Sequence, residues 1–145
     1  MSESVGGATE MLDPARCVAL LGSVGVGRVV FTNRAMPAVR PVRFVVRDDA
    51  VWFRMASGDM WFARALDTVV AFAVDDITTD LGGGWFVTVV GRACEIRDRS
   101  VIPELAVLLP ADGNRVDDRY VRILVESVSG HRILPSAWRC VEGRS

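Results

Sequence analysis

The chain contains no lysine: all 17 of its basic residues are arginine. Schiff-base chemistry through a lysine amine, and a phosphate loop of the Walker type, are therefore excluded. Histidine is nearly absent, with His131 alone, in a stretch that reads as a turn between two late strands. A hydrolase triad would need it as base, and a solvated turn histidine is the plainer reading. Cys17, Cys94 and Cys140 are few, far apart and without CxxC spacing, so they read as reduced thiols, with neither a disulfide nor a metal site expected. No apolar run approaches the roughly 20 residues that span a bilayer. The segment Met1 to Glu10 is acidic and small rather than basic and then apolar, so export is not expected and a cytoplasmic location without membrane partners is. The net charge of -1 supplies no field for nucleic acid.

Half of the 145 residues are apolar, and valine recurs beside Phe, Trp and Ile, the composition of pleated, half-buried surfaces. The length suits one domain that buries roughly two thirds of its unfolded surface. A flexible tail is expected over residues 1–11, a single domain over 12–139 and a C-terminal tail over 140–145. Asp13-Pro14 predicts an N-cap and first helical residue, Ala15, Val18 and Leu21 continue the helix, and Gly22 stops it. Strands are expected over Val26–Thr32, Pro37–Arg47 and Ala50–Met55, joined by turns at Asn33–Met36 and Asp48-Asp49. A helical pattern over Ser57–Leu66 places Trp61, Ala65 and Phe62 inward, and Val69–Val74 returns to strand. Asp75–Gly84 reads as a loop, and Trp85–Ile96 as a long strand in which Gly91 marks a bulge or close approach. Ser100–Leu109 predicts a short helix and Pro110–Asp118 a polar connection. Arg119–Ser129 alternates again, and Gly130 is expected to turn the chain into His131–Leu134. Seven or so such β runs with short helices argue for a mainly β barrel or sandwich rather than a doubly wound parallel sheet.

Catalytic constellations are scarce. Asp48-Asp49 and Asp75-Asp76 are adjacent carboxylates whose side chains point apart on strands or turns, so neither is a ready acid and base couple. The run Gly22 to Gly27 has the glycines of a phosphate loop but follows a helix and precedes a strand, the reverse of the dinucleotide-binding order. What remains is Arg28, Arg40, Arg43, Arg47 and Arg54 on the first three strands, together with Trp52, Trp61 and Trp85. Guanidinium forks suit phosphate and indole faces suit a planar ring, so these strands could line a site for an anionic aromatic cofactor. Arginines on the solvated face of an antiparallel sheet give the same pattern.

Read in order, several segments resemble the pyridoxamine 5′-phosphate oxidase-like family of flavin-binding split barrels. They are Leu20-Leu21 through Val26-Gly27-Arg28-Val29, then Pro37 to Val42, Val51 to Arg54, and Val70 to Asp76. Gly84-Trp85-Phe86-Val87 with Val90-Gly91-Arg92-Ala93 is similar to its GWSV and VxGRA stretch, and Arg119 to Ile123 with Val128 to Ile133 to its closing strands. The resemblance covers residues 12 to 134 and implies a six-stranded antiparallel Greek-key barrel, a homodimer, and FMN at the subunit interface. It implies that Arg40, Pro41 and Val42 run along the flavin ring, that Arg54 approaches the phosphate, and that Trp85 lies near the ring. Phe53 and Gly58, on the strand and turn either side of Arg54, complete the implied set, with Arg28 and Arg92 structural and no protein acid or base required. It further implies reduction of a small planar electrophile such as a nitroimidazole, with the deazaflavin F420 as an alternative cofactor; the arginine-only usage suits a high-GC actinobacterium. The chain departs from the family where a threonine and a Gly-Ser-Lys-like turn usually hold the phosphate, reading Met55, Gly58, Asp59 and Met60, and Phe86 replaces a serine. Asp59 beside a phosphate dianion would be repulsive by about 1 kcal/mol or more. The second expectation is therefore a binding or regulatory barrel that has lost FMN and holds another ligand or none.

Overall fold

The computed structural model describes residues 9–78, 83–110 and 118–134. In chain order the elements are β1 (Thr9–Met11), α1 (Pro14–Leu21), β2 (Val26–Asn33), β3 (Met36–Arg47), β4 (Ala50–Met55), α2 (Met60–Ala63), β5 (Val69–Ile77), β6 (Gly84–Ile96), α3 (Ile102–Leu108), β7 (Arg119–Leu124) and β8 (Ser127–Ile133). All pairings are antiparallel, and the ring β2-β3-β4-β7-β6-β5 closes into the expected six-stranded barrel, with β8 and then β1 added along β6.

Closure depends on two long strands that change partners halfway. In β3, Met36–Arg43 pair with β2 and Phe44–Arg47 with β4; in β6, Gly84–Arg92 pair with β5 and Ala93–Ile96 with β7. The bend in β6 falls at Gly91, where a Cβ would stand 1.7 Å from the Leu124 carbonyl oxygen, so only glycine lets the two strands approach. Two tight hairpins set the register: Arg34-Ala35 and Asp48-Asp49 all have left-handed φ values between 52° and 63°, the conformation that matches the twist of paired strands.

Alternation along the strands fills the barrel. Val29 and Phe31 of β2, Phe44 of β3, Val51 and Phe53 of β4, Phe72 and Val74 of β5, Val87 and Val89 of β6, and Val121 and Ile123 of β7 are all buried in one cluster. Each such side chain contributes about 1.5–3 kcal/mol of transfer free energy. Helix α1 forms as its sequence predicts, with the Asp13 carboxylate accepting the Arg16 N–H at 2.8 Å and Pro14 in the first turn, and it buries Cys17 and Leu21 against the barrel. A second cluster lies outside β4 and β7, where α3 covers Trp52 and Tyr120 with Leu105 and Leu109. The face of β4 carrying Trp52 and Arg54 is therefore packed.

Four expectations about local structure are corrected. Thr9–Met11, assigned to the flexible tail, pair with Ile133–His131 of β8, because β8 would otherwise be an open edge. The helix expected over Ser57–Leu66 forms only over Met60–Ala63; Phe62 and Ala65 face the core as predicted, but Trp61 is 48% exposed. The expected loop after Val74 begins later, since Asp75, Asp76 and Ile77 continue the ladder with Phe86, Trp85 and Gly84. Gly130 does not turn the chain; it lies within β8, where a Cβ would meet the Cys17 Sγ at 2.8 Å, and the chain reverses between Leu124 and Ser127. His131 is accordingly a strand residue, stacked on Phe86 at 5.4 Å between ring centroids. Cys140, most of the polar connection 110–118, and the C-terminal boundary at 139/140 lie outside the described residues.

Candidate functional site

One rim of the barrel opens into a cleft of about 340 Å³ where β3, β4 and the segment leading into α2 meet, lined by Arg40, Pro41, Val42, Arg43, Arg54, Met55, Ala56, Asp59, Phe62, Leu109, Pro110 and Asp118. That volume is within the range of about 300–1,000 Å³ usual for small-molecule sites. Its charged groups are three guanidiniums and two carboxylates. Phe62 forms part of the lining but does not fill the space, and Trp61 is not among the lining residues.

Arg40 sits at an inward position of β3, between Ala38 and Val42, which pack against the core. A guanidinium there needs a partner, and Asp59 supplies it: Arg40 Nε donates to Asp59 Oδ2 at 2.9 Å, while the guanidinium lies 5.5 Å from the Phe31 ring centre. Asp59 is fixed from a second side, because Oδ1 accepts the Phe62 N–H at 3.1 Å and so caps α2. Burial pushes the Asp59 carboxyl upward, but the Arg40 hydrogen bond and charge and the helix N–H groups outweigh it and hold the group below the usual carboxylate range.

Arg54 reaches the cleft from the outer face of β4, the one packed under α3. Its Nη1 donates to the Leu109 carbonyl oxygen at 2.8 Å, its guanidinium lies 5.0 Å from the Tyr120 ring centre, and Asp118 Oδ2 is 3.4 Å from Nε. The geometry of that last contact is not a hydrogen bond, and Nε is buried without a hydrogen-bond partner among the described residues. Arg43, exposed at the rim, forms no ion pair with any described residue. Arg54, whose side chain keeps 19% exposure, and Arg43, without an ion pair among the described residues, are the cations that an incoming anion would meet in this cleft, so the residues present fit a phosphate-bearing ligand.

Of the residues implied by the resemblance, Arg40, Pro41, Val42 and Arg54 come together here from two strands. Phe53 is fully buried, its ring tilted against Phe62 at 5.7 Å between centroids, and it does not line the cleft. Gly58 lies in the turn before α2, its carbonyl accepting the Met60 N–H at 2.9 Å, and does not line the cleft. Trp85, paired with Asp76 and Arg132 on β6, packs partly against the barrel core and is not brought into the cleft. Of the departures from the family, Met55 and Asp59 line the cleft, whereas Met60 is exposed and Phe86 stands on the outer sheet. Asp118 and Leu109 were not legible as site residues: they approach Arg54 only through tertiary folding, 64 and 55 positions along the chain. Asp59 had a local signal, an aspartate directly before a short apolar helical run.

A closed six-stranded antiparallel barrel with an arginine-walled cleft at its rim defines a small split-barrel protein. The chain belongs to the pyridoxamine 5′-phosphate oxidase family, whose sequence model matches residues 13–132. It is 38% identical over 128 residues to the uncharacterized protein Rv0080 of Mycobacterium tuberculosis, a match covering 85% of this chain and 84% of that one. Among solved structures, an FAD binding protein from Mycobacterium smegmatis superposes with a TM-score of 0.71 at 31% identity, covering 86% of this chain and 97% of the other. A conserved protein of unknown function from Corynebacterium diphtheriae superposes with a TM-score of 0.74 at 28% identity, covering 88% and 99%.

Proposed function

We propose that this protein binds a flavin nucleotide in the rim cleft and acts as a flavin-dependent oxidoreductase on a small planar substrate. The observation that carries the reading is the convergence of Arg40, Pro41, Val42 and the partly exposed Arg54 on one cleft. Arg54 and Arg43 would hold phosphate, and Pro41 and Val42 offer an apolar edge to a ring. A bound flavin supplies hydride or electron transfer; the chain's own residues bind it, orient it and limit water around it. FMN is the cofactor first expected, FAD is supported by the name of the mycobacterial relative at 31% identity, and the deazaflavin F420 is the further alternative.

The reading includes a homodimer. On the outer sheet Val39, Val30, Ala71 and Val90 form one row across four strands, an apolar stripe on which a second copy of the chain is the proposed occupant. Val39 is followed two residues on by Pro41 of the cleft, so a partner seated on the stripe would border the open side of the site. Light scattering on the purified protein should give twice the chain mass, and the chain mass alone would remove this part of the reading.

The second reading, a barrel that has lost its flavin, draws on the Arg40–Asp59 pair, which satisfies one cleft cation from within. Titration with FMN, FAD and F420, followed through the visible absorbance of the chromophore, separates the two. A saturable spectral shift with at least one of them is expected; no saturable change with any would favour the second reading.

A further inference from the structure

We infer that Asp59 sets which phosphate chemistry the cleft accepts, disfavouring a terminal phosphate monoester and admitting phosphates in diester or diphosphate linkage. The inference rests on the reading that the cleft binds a flavin nucleotide, and concerns the charge that such a ligand can bring.

Asp59 is an anion anchored to two elements, through Arg40 Nε of β3 at 2.9 Å and the Phe62 N–H of α2 at 3.1 Å, with its side chain only 19% exposed. It cannot swing into solvent without giving up both contacts. Its presence changes the electrostatics of the whole wall. Arg40, the inward guanidinium, is already matched, and Asp118 stands 3.4 Å from Arg54 Nε and offsets part of that charge. The positive charge left for a ligand is Arg43 at the rim, which has no ion pair among the described residues, and what remains of Arg54.

A phosphate monoester carries a charge of about -1.5 to -2 near neutral pH, all on one phosphorus. At Arg54 its second charge would enter a cleft that also carries the Asp59 and Asp118 carboxylates. A diphosphate or diester carries one charge per phosphorus, so one group can be matched by Arg54 and a second by Arg43, which stands on a different strand. At partly screened distances one unfavourable unit charge lowers affinity by about tenfold. The charged groups facing this ligand among the described residues are Arg40, Arg43, Arg54, Asp59 and Asp118, and the carboxyl of Asp59 stays ionised well below neutrality.

The test compares FMN, FAD and phosphate-free riboflavin on the full chain and on Asp59→Asn. Asparagine keeps an N-cap for α2 and an acceptor for Arg40 while removing the charge. The unmodified protein should bind FAD about tenfold tighter than FMN, and Asp59→Asn should close most of that gap by tightening FMN, with riboflavin unchanged. An independent arm needs no variant: lowering the pH from about 7.5 to about 5.5 protonates the monoester, so FMN should tighten while FAD does not. Equal shifts for all three flavins in Asp59→Asn, or FMN binding tighter than FAD to the unmodified protein, would overturn the inference and leave flavin binding intact. No saturable binding of any flavin by either protein would overturn the reading beneath it, and the inference with it.

Discussion

Arg40–Asp59 and Arg28–Asp75 are the same chemical pair in two surroundings. Arg28 and Asp75 meet at 3.5 Å on the outer sheet, with side chains 58% and 43% exposed. Arg40 and Asp59 meet at 2.9 Å in the cleft wall, where the carboxylate also caps a helix and the guanidinium lies over Phe31. On the open sheet, water competes for both charges and holding two long side chains in one geometry costs entropy, so such a pair contributes about 0–1 kcal/mol. In the cleft each charge is held by further contacts, and removing either leaves a polar group partly buried without its partner. An ion pair is characterised by what else holds its members, and by that measure the cleft pair is anchored in the fold and the sheet pair is a solvated one.

Arg54→Ala should break the cleft side of this comparison most severely. It removes the partly exposed guanidinium of the cleft and should weaken binding of any phosphate-bearing flavin by about 1.5–3 kcal/mol, read as a change in dissociation constant. Unaltered affinity would place the phosphate elsewhere. A smaller effect separates the two pairs directly. Asp59→Ala removes a helix cap and should lower stability by about 1 kcal/mol in a denaturant titration, whereas Asp75→Ala should change it by less than about 0.5 kcal/mol. The sign of the pH dependence follows from the lowered Asp59 carboxyl: the folded protein binds its proton less readily than the unfolded chain does. The stabilisation is thus complete above the unfolded value of about 3.9 and lost as pH falls through the folded one. Asp59→Ala should be less acid-sensitive than the unmodified protein at the bottom of that range, and equal acid sensitivity would argue that the pair contributes nothing.

The barrel was largely legible in the sequence because its devices are local. Asp13-Pro14 and Gly22 bound α1 as their capping chemistry predicts, and alternation in Val51 to Arg54 and Val70 to Val74 gives the inward faces of β4 and β5. Gly91 signals a bulge or a close approach, and the close approach is that of the Leu124 carbonyl. Where the reading failed, a residue type pointed to one role and tertiary structure used it for another. Gly130 carries a turn signal but serves close packing against Cys17, while the reversal uses Val125 and Glu126, which carry none. Trp61 fits an amphipathic pattern, yet only Met60–Ala63 are helical, too short a stretch to bury a full face.

The site was legible in part for the same reason. Arg40, Pro41, Val42 and Arg54 were identified through their segments, and the cleft brings them together. Asp59 was expected only to repel phosphate; that it caps α2 and neutralises Arg40 required the position of β3 relative to the turn. Asp118 and Leu109 belong to no segment near Arg54, so pattern alone does not find them.

The central claim is that flavin occupies the rim cleft and not the outer sheet, and hydrogen exchange with and without saturating flavin tests it most directly. The turn from Ala56 to Met60, beside the cleft and outside the strand ladders, should gain protection while the outer residues of β8 stay unchanged. Protection confined to β6 and β8 around Phe86 and His131, with none in that turn, would contradict the account.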